Sequence, residues 1–172
     1  MPSFPVEGLT EASRQVLLAA GAPDEHASTV ARHLADANLA GHDSHGFIRV
    51  PQYIREIKEG RIDPVAQPEV VKDGPGTAKV DGKSSFGQVV ATFATELAIQ
   101  KARRSGISLV SMFNLSHTGR IGTYAEMAAK EGMAAIMFTG FAGGEVAKNV
   151  APFGGRERKL GTNPISMSFP SS

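Results

Sequence analysis

The chain has no cysteine, which excludes disulfides, thiolate nucleophiles and zinc–thiolate sites. It also lacks a charge surplus: 18 Lys and Arg face 17 Asp and Glu, for a net charge of +1. Such a balance gives no electrostatic footprint for nucleic acid or an anionic membrane. No apolar run nears the roughly 20 residues that span a bilayer. The opening Met1-Pro2-Ser3-Phe4-Pro5-Val6-Glu7 lacks the basic-then-apolar order of a secretory signal, so a cytoplasmic protein is expected. Two nucleotide fingerprints are missing as well, the Gly-x-Gly-x-x-Gly turn and the Walker loop. A nucleotide, if bound, is held some other way. What remains is ordinary for a globular protein: 172 residues, 41% hydrophobic and 20% charged. That length suits one substantial core, or one domain and part of a second.

The first 60 residues read as helices. Thr10 to Ala20 carries Val16, Leu17 and Leu18 and stops at Gly21. Pro23, Asp24 and Glu25 suit the first turn of a second helix. Ala27, Val30, Leu34 and Ala37 then recur at helical spacing until Gly41. A third helix is predicted from Arg49 to Gly60, with Pro51 in its first turn and Tyr53, Ile54 and Ile57 inward. A composition shift over residues 61–68 sets the expected boundary between a helical domain, 1–64, and a second domain, 65–172. Beyond it, Val70–Val71 and Ala78–Val80 read as a hairpin punctuated by Gly74, Pro75 and Gly76. A long helix is predicted from Gln88 to Arg104, with Val89, Phe93, Leu97 and Ile99 in the core. Lys101, Arg103 and Arg104 would complement its C-terminal dipole. A buried strand, Ile107 to Phe113, leads into a loop, a helix from Ile121 to Glu131 and a strand from Ala134 to Phe138. This is a β–loop–α–β order, right-handed if its strands are parallel. Ala142 to Ser172 is rich in Gly and Pro, with one strand candidate, Ile165 to Phe169.

Two histidines lie in turns beside arginines, in Gly41-His42-Asp43-Ser44-His45-Gly46-Phe47-Ile48-Arg49 and Asn114-Leu115-Ser116-His117-Thr118-Gly119-Arg120. An acid/base that titrates near neutrality, beside a cation that grips planar oxyanions, suits a carbonyl that also bears a carboxylate. Ser44 can orient the His45 ring, and Arg49 can reach a carboxylate one turn on. The plainer alternative is that His42, Asp43 and Ser44 only end a helix. His42 and His45 have metal-ligand spacing, yet no further Cys/His cluster accompanies them, and no metal is expected. His117 follows a strand and precedes a helix, where open sheets place ligands. The amides of Gly119 and Arg120 at that helix start would favour an anion, or His117 and Thr118 merely cap the helix. Gly154 to Pro164, with Arg156, Arg158 and Lys159, either approaches a phosphate closely or is a solvated turn.

Taken together, Asp43-Ser44-His45-Gly46 with Arg49 and Tyr53, Ser116 to Arg120 with Tyr124 and Glu126, and Gly154-Gly155 through Leu160-Gly161-Thr162-Asn163-Pro164 resemble the malate/L-lactate dehydrogenase type 2 family. The resemblance implies an oxidoreductase moving a hydride between NAD or NADP and C2 of a small 2-oxo or 2-hydroxy acid, or of a cyclic imine acid. It implies an α+β fold, a helical segment followed by a mixed, non-Rossmann α/β cofactor domain. It also implies a homodimer with sites between subunits. Carried over by motif, His45 is the proton donor/acceptor, supported by Ser44, while His117 lies beside nicotinamide and substrate and in some members of the family is the residue assigned as the base. Arg49 and Tyr53 would hold the substrate carboxylic acid. Gly119, Arg120, Thr139, Gly140, Gly161, Thr162, Asn163 and Pro164 would line the cofactor site. Members of the family run to about double this length. The chain is accordingly expected to be a truncated N-terminal half that leaves apolar faces uncovered, to be buried by a partner or a second copy. The competing expectation is a non-catalytic paralogue serving as a binding or dimerisation module.

Overall fold

The computed structural model describes residues 4–140 and 150–171, so part of the stretch from Ala142 lies outside the described residues. Helix α1, Val6–Ala19, starts earlier than its Thr10 signal suggests. Pro5 stands at its N-cap with Glu7 in the first turn, and the Thr10 hydroxyl bonds back to the Val6 carbonyl at 2.7 Å instead of capping. Helix α2, Asp24–Leu39, follows Pro23. Gly21 and Gly41, at φ +94° and +75°, supply the left-handed turns that end the two helices. Helix α3, Val50–Lys58, keeps Pro51 in its first turn. Leu17, Ala27, Val30, Leu34, Tyr53 and Ile62 form the helical core, and Ile54 and Ile57 pack against it. Phe86, from the following α/β part, belongs to the same cluster, so the helices are closed over by the element that comes after the hairpin.

Strands β1 (Glu69–Asp73) and β2 (Thr77–Ser85) pair antiparallel, and β2 pairs in parallel with β3 (Leu109–Leu115). The crossover between the parallel strands is α4, Gly87–Ser105, ended by Gly106 in the left-handed conformation. The parallel unit is therefore β2–α4–β3. The predicted β–loop–α–β order after it is present as β3, α5 (Gly122–Lys130) and β4 (Ala135–Phe138). Among the described residues, however, β4 pairs antiparallel with β5 (Ile165–Ser168) in a separate two-stranded sheet. Strand β3 begins at Leu109 rather than Ile107, which is 79% exposed, and it extends to Leu115.

Helix α4 is buried on several sides. Its most buried core residues are Val90, Ala91 and Ala94, with Val89, Phe93 and Leu97 only partly covered. Val90 and Ala94 join Val80 against the sheet, while Ala91 packs with Ile121 and Tyr124 of the next helical unit. Small residues let a central helix approach neighbours on two faces, which a single 3.6-residue stripe does not reveal. Lys101 also departs from its expected dipole role. Its ammonium donates to the Gly74 carbonyl at 2.8 Å and pairs with Asp73, tying the end of α4 to the β1–β2 turn. The outer face of the second sheet turns Ile136, Phe138, Ile165 and Met167 outward. No helix among the described residues is long and apolar enough to cross a membrane.

Candidate active site

The parallel pair sets the site. Its register ends at Ser85 opposite Leu115, so the start of α4 and the His117 loop leave adjacent strand ends together, the usual place for a ligand in such sheets. The junction is drawn tight. Ser116 N–H donates to the Ser85 carbonyl at 3.1 Å, and Gly87 N–H donates to the Ser116 hydroxyl at 3.0 Å. A Cβ on Gly87 would lie 2.3 Å from the Ser116 carbonyl oxygen and 2.5 Å from that of His117. Only glycine lets α4 start against this loop. The approach also bends the strands: Lys83, Ser84 and Asn114 all take positive φ. Asn114 secures its turn by donating to Asp81 at 3.0 Å and accepting from Ser84 at 3.1 Å.

The His45 loop is built by Asn38 on the last turn of α2. The Asn38 carboxamide accepts from Phe47 N–H at 2.9 Å and donates to Asp43 at 2.5 Å. A Cβ on Gly46 would sit 1.9 Å from the Asn38 amide oxygen, so the Asp-Ser-His-Gly turn can wrap this side chain only with glycine at that place. The Ser44 hydroxyl meets His45 Nδ1 at 2.8 Å. His42 takes no part in that contact and bonds its own neighbour, the Ala40 carbonyl, at 3.0 Å. Arg49 donates through Nε to the Ser44 carbonyl at 2.5 Å and through Nη1 to Gln52 at 2.7 Å. Gln52 donates in turn to Glu56 at 2.9 Å. A guanidinium braced from two sides is pre-organised for a planar anion.

These two loops meet. The His45 and His117 ring centroids are 5.3 Å apart, with the planes inclined at 31°. Burial lowers both pKa values, and the Arg49 charge adds to the effect; His117 falls to about 4. Both rings are neutral at pH 7. Tyr53, expected to hold substrate, is fully buried. Its hydroxyl lies 2.9 Å from His117 Nδ1 and receives Gln88 Nε2–H at 2.6 Å. Burial holds the phenol well above its ordinary pKa, hence protonated.

The remaining candidates fall into two groups. Gly119, at φ +74°, lies beside the Gln88 amide, where a Cβ would be in ordinary van der Waals contact with Nε2 at 3.4 Å. The Arg120 guanidinium folds back over α5 to Glu126 at 2.5 Å. Thr139, Gly140 and Gly161–Pro164 lie together beyond the ends of β4 and β5. There Thr139 N–H reaches the Pro164 carbonyl at 3.3 Å, Asn163 donates to the Gly161 carbonyl at 3.3 Å, and a Cβ on Gly140 would come within 3.0 Å of the Asn163 amide oxygen. Gly140, Thr162, Asn163 and Pro164 are exposed and Thr139 and Gly161 half-exposed. Within the Gly154–Pro164 stretch, Lys159 pairs with Glu157 at 2.8 Å.

Sequence reasoning missed Gln88, Asn38 and the Gln52–Glu56 brace. In the sequence Gln88 marks only the start of a helix, and no local pattern signals an amide that acts 35 residues away on Tyr53. Arg49, Gln52 and Glu56 do follow helical i, i+3 and i+4 steps, a signal that was available.

The chain is similar to known proteins along nearly its whole length. The malate/L-lactate dehydrogenase family model matches residues 4–172. The L-sulfolactate dehydrogenase of Methanocaldococcus jannaschii is 43% identical over 154 residues, 90% of this chain and 43% of that protein. The malate dehydrogenase of Pyrococcus abyssi is 43% identical over 157 residues, 91% of this chain and 42% of its own length. The solved malate dehydrogenase of Pyrococcus horikoshii superposes with a TM-score of 0.91 at 39% identity, covering 99% of this chain and 47% of that one. The chain thus spans less than half the length of these relatives.

Proposed function

The chain belongs to the malate/L-lactate dehydrogenase family, and from that premise we propose that it carries the acid/base half of a site for hydride transfer at C2 of a small 2-oxo or 2-hydroxy acid. The observation that carries the reading is the pair of neutral imidazoles, His45 and His117, 5.3 Å apart beside a braced arginine. Arg49 takes the substrate carboxylate and fixes which face of C2 is presented. His45, with Nδ1 held by Ser44, keeps Nε2 for the reacting oxygen. In oxidation it accepts the hydroxyl proton; in reduction its imidazolium returns that proton to the developing alkoxide. A histidine so placed contributes roughly 10² to 10⁴ in rate. His117 lies on the other side of the same oxygen, held from behind by Tyr53.

The half-exposed and exposed turns of Thr139, Gly140, Gly161, Thr162, Asn163 and Pro164 offer polar groups to a cofactor and would hold NAD or NADP outside any Rossmann fingerprint. When bound, the nicotinamide supplies or receives the hydride. Gly119 and Arg120 shape the turn that carries His117. The uncovered apolar face of Ile136, Phe138, Ile165 and Met167 favours the homodimer that the family resemblance implies, and residues 1–64 and 65–172 serve as its helical and cofactor-binding domains.

Nicotinamide fluorescence on titration with NADH and NADPH, followed by turnover of oxaloacetate, pyruvate and sulfopyruvate, tests the proposal. Cofactor binding, with turnover lost in His45→Ala, is the expected result. A folded chain that binds neither cofactor would refute it and favour a non-catalytic binding module.

A further inference from the structure

Gln88 is fully buried, sits in the first turn of α4 and has one amide hydrogen bond, to Tyr53. Its Oε1 is buried without a partner among the described residues. A buried acceptor left without a partner is costly, so stability alone would not select an amide at this place. Its geometry shows what. Gln88 Nε2 donates to the phenol oxygen at 2.6 Å, so the phenol proton is directed to its remaining neighbour, His117 Nδ1, at 2.9 Å. A ring nitrogen that accepts a proton-sharing bond carries no hydrogen, and a neutral imidazole then bears its hydrogen on the other nitrogen. No partner holds His117 Nε2 among the described residues, and the His45 ring stands next to it.

We propose that Gln88 is a positioning residue that, through Tyr53, fixes His117 as the Nε2–H tautomer. The two histidines thereby take different tasks. His117 presents a hydrogen-bond donor that polarises the substrate oxygen, and His45 moves the proton. A neutral imidazole that gave up its Nε2 proton would become an imidazolate, far too basic to be the proton's source; a donor of fixed direction is the task open to it.

This inference rests on the proposed function for its purpose, though not for its test. Long-range proton–nitrogen correlation on protein labelled in the histidine rings reports the tautomer without substrate or turnover. In the wild-type chain His117 is expected as Nε2–H with an unprotonated Nδ1. Gln88→Met removes the donor at similar volume, and Tyr53→Phe removes only the hydroxyl; each should turn the His117 signals into a mixture of tautomers. Where turnover is measurable, Gln88→Met should lower kcat about 10-fold with KM within about 2-fold, the loss of one polarising hydrogen bond. An Nδ1–H tautomer in the wild type, with the whole chain of bonds reversed, overturns the proposal. So does an unchanged tautomer in either variant. The expected tautomer in a chain that transfers no hydride upholds the positioning and refutes the function.

Discussion

The phenol of Tyr53 and Nδ1 of His117, 64 positions apart in sequence, meet at 2.9 Å across the seam between the helices and the α/β part. This contact joins the two segments at the site itself. A second bond across the seam comes from His33, whose Nε2 lies 3.0 Å from the Thr92 hydroxyl. Replacing Tyr53 by Phe should therefore cost stability as well as rate. The Gln88 amide loses its one partner among the described residues, worth about 1–3 kcal/mol of unfolding free energy, measurable by urea denaturation at constant slope. A midpoint equal to the wild type would show that the seam does not depend on this bond.

Arg49→Lys keeps the charge and loses the fork. With Gln52 and Glu56 no longer bracing a planar group, KM for a 2-oxo acid should rise about 10- to 100-fold, the worth of one charged hydrogen bond. For an uncharged ketone analogue the same variant should differ little. An equal penalty for both substrates would place the arginine elsewhere than on the carboxylate.

Gly87→Ala tests the junction between α4 and the His117 loop. The new methyl would overlap two backbone carbonyls, at 2.3 and 2.5 Å, which cannot swing aside as a side chain can. A loss of about 1–3 kcal/mol is expected, together with loss of the Tyr53–His117 contact in histidine ring spectra. Alanine tolerated at wild-type stability would mean the helix start can back away.

Burial fixes the sign of the response to acid. His33 and His117 titrate at about 4 in the folded chain, against about 6.5 unfolded. Between those values the unfolded state binds protons that the native state refuses, so stability rises with pH there and falls as pH drops. Each ring contributes about 1.4 kcal/mol per pH unit in that window. Thermal unfolding from pH 4.5 to 7 should show the slope, and His33→Gln should lessen it. His45, also lowered, places the acid limb of hydroxy-acid oxidation below about 6.5; a limb above that value would assign it to another group.

Much of this was legible in the sequence because it is local. Glycine stops, acidic first turns and β-branched runs placed the helices and most of the strands within a few residues. The His45 and His117 turns announced themselves by composition. The pairing of β3 with β2 rather than β4 was not legible, because register between strands separated by a helix is decided by packing on α4. Nor was the burial of α4 on several faces, since Val90, Ala91 and Ala94 carry little signal beside Phe93 and Leu97. The 2.9 Å contact of the Tyr53 hydroxyl with His117 was not legible either, since it joins residues 64 positions apart. Gln88 was silent because an amide shows its purpose only when a distant phenol arrives beside it.

The account stands most directly on transfer of hydrogen to C2. Reduced nicotinamide cofactors carrying deuterium at the transferring position can be offered with oxaloacetate, pyruvate and sulfopyruvate, and the 2-hydroxy acids analysed by mass spectrometry. Deuterium at C2 with at least one acid, abolished in His45→Ala and diminished in Arg49→Lys, is the predicted result. Absence of label in every hydroxy acid with either cofactor, from a folded chain, would contradict it.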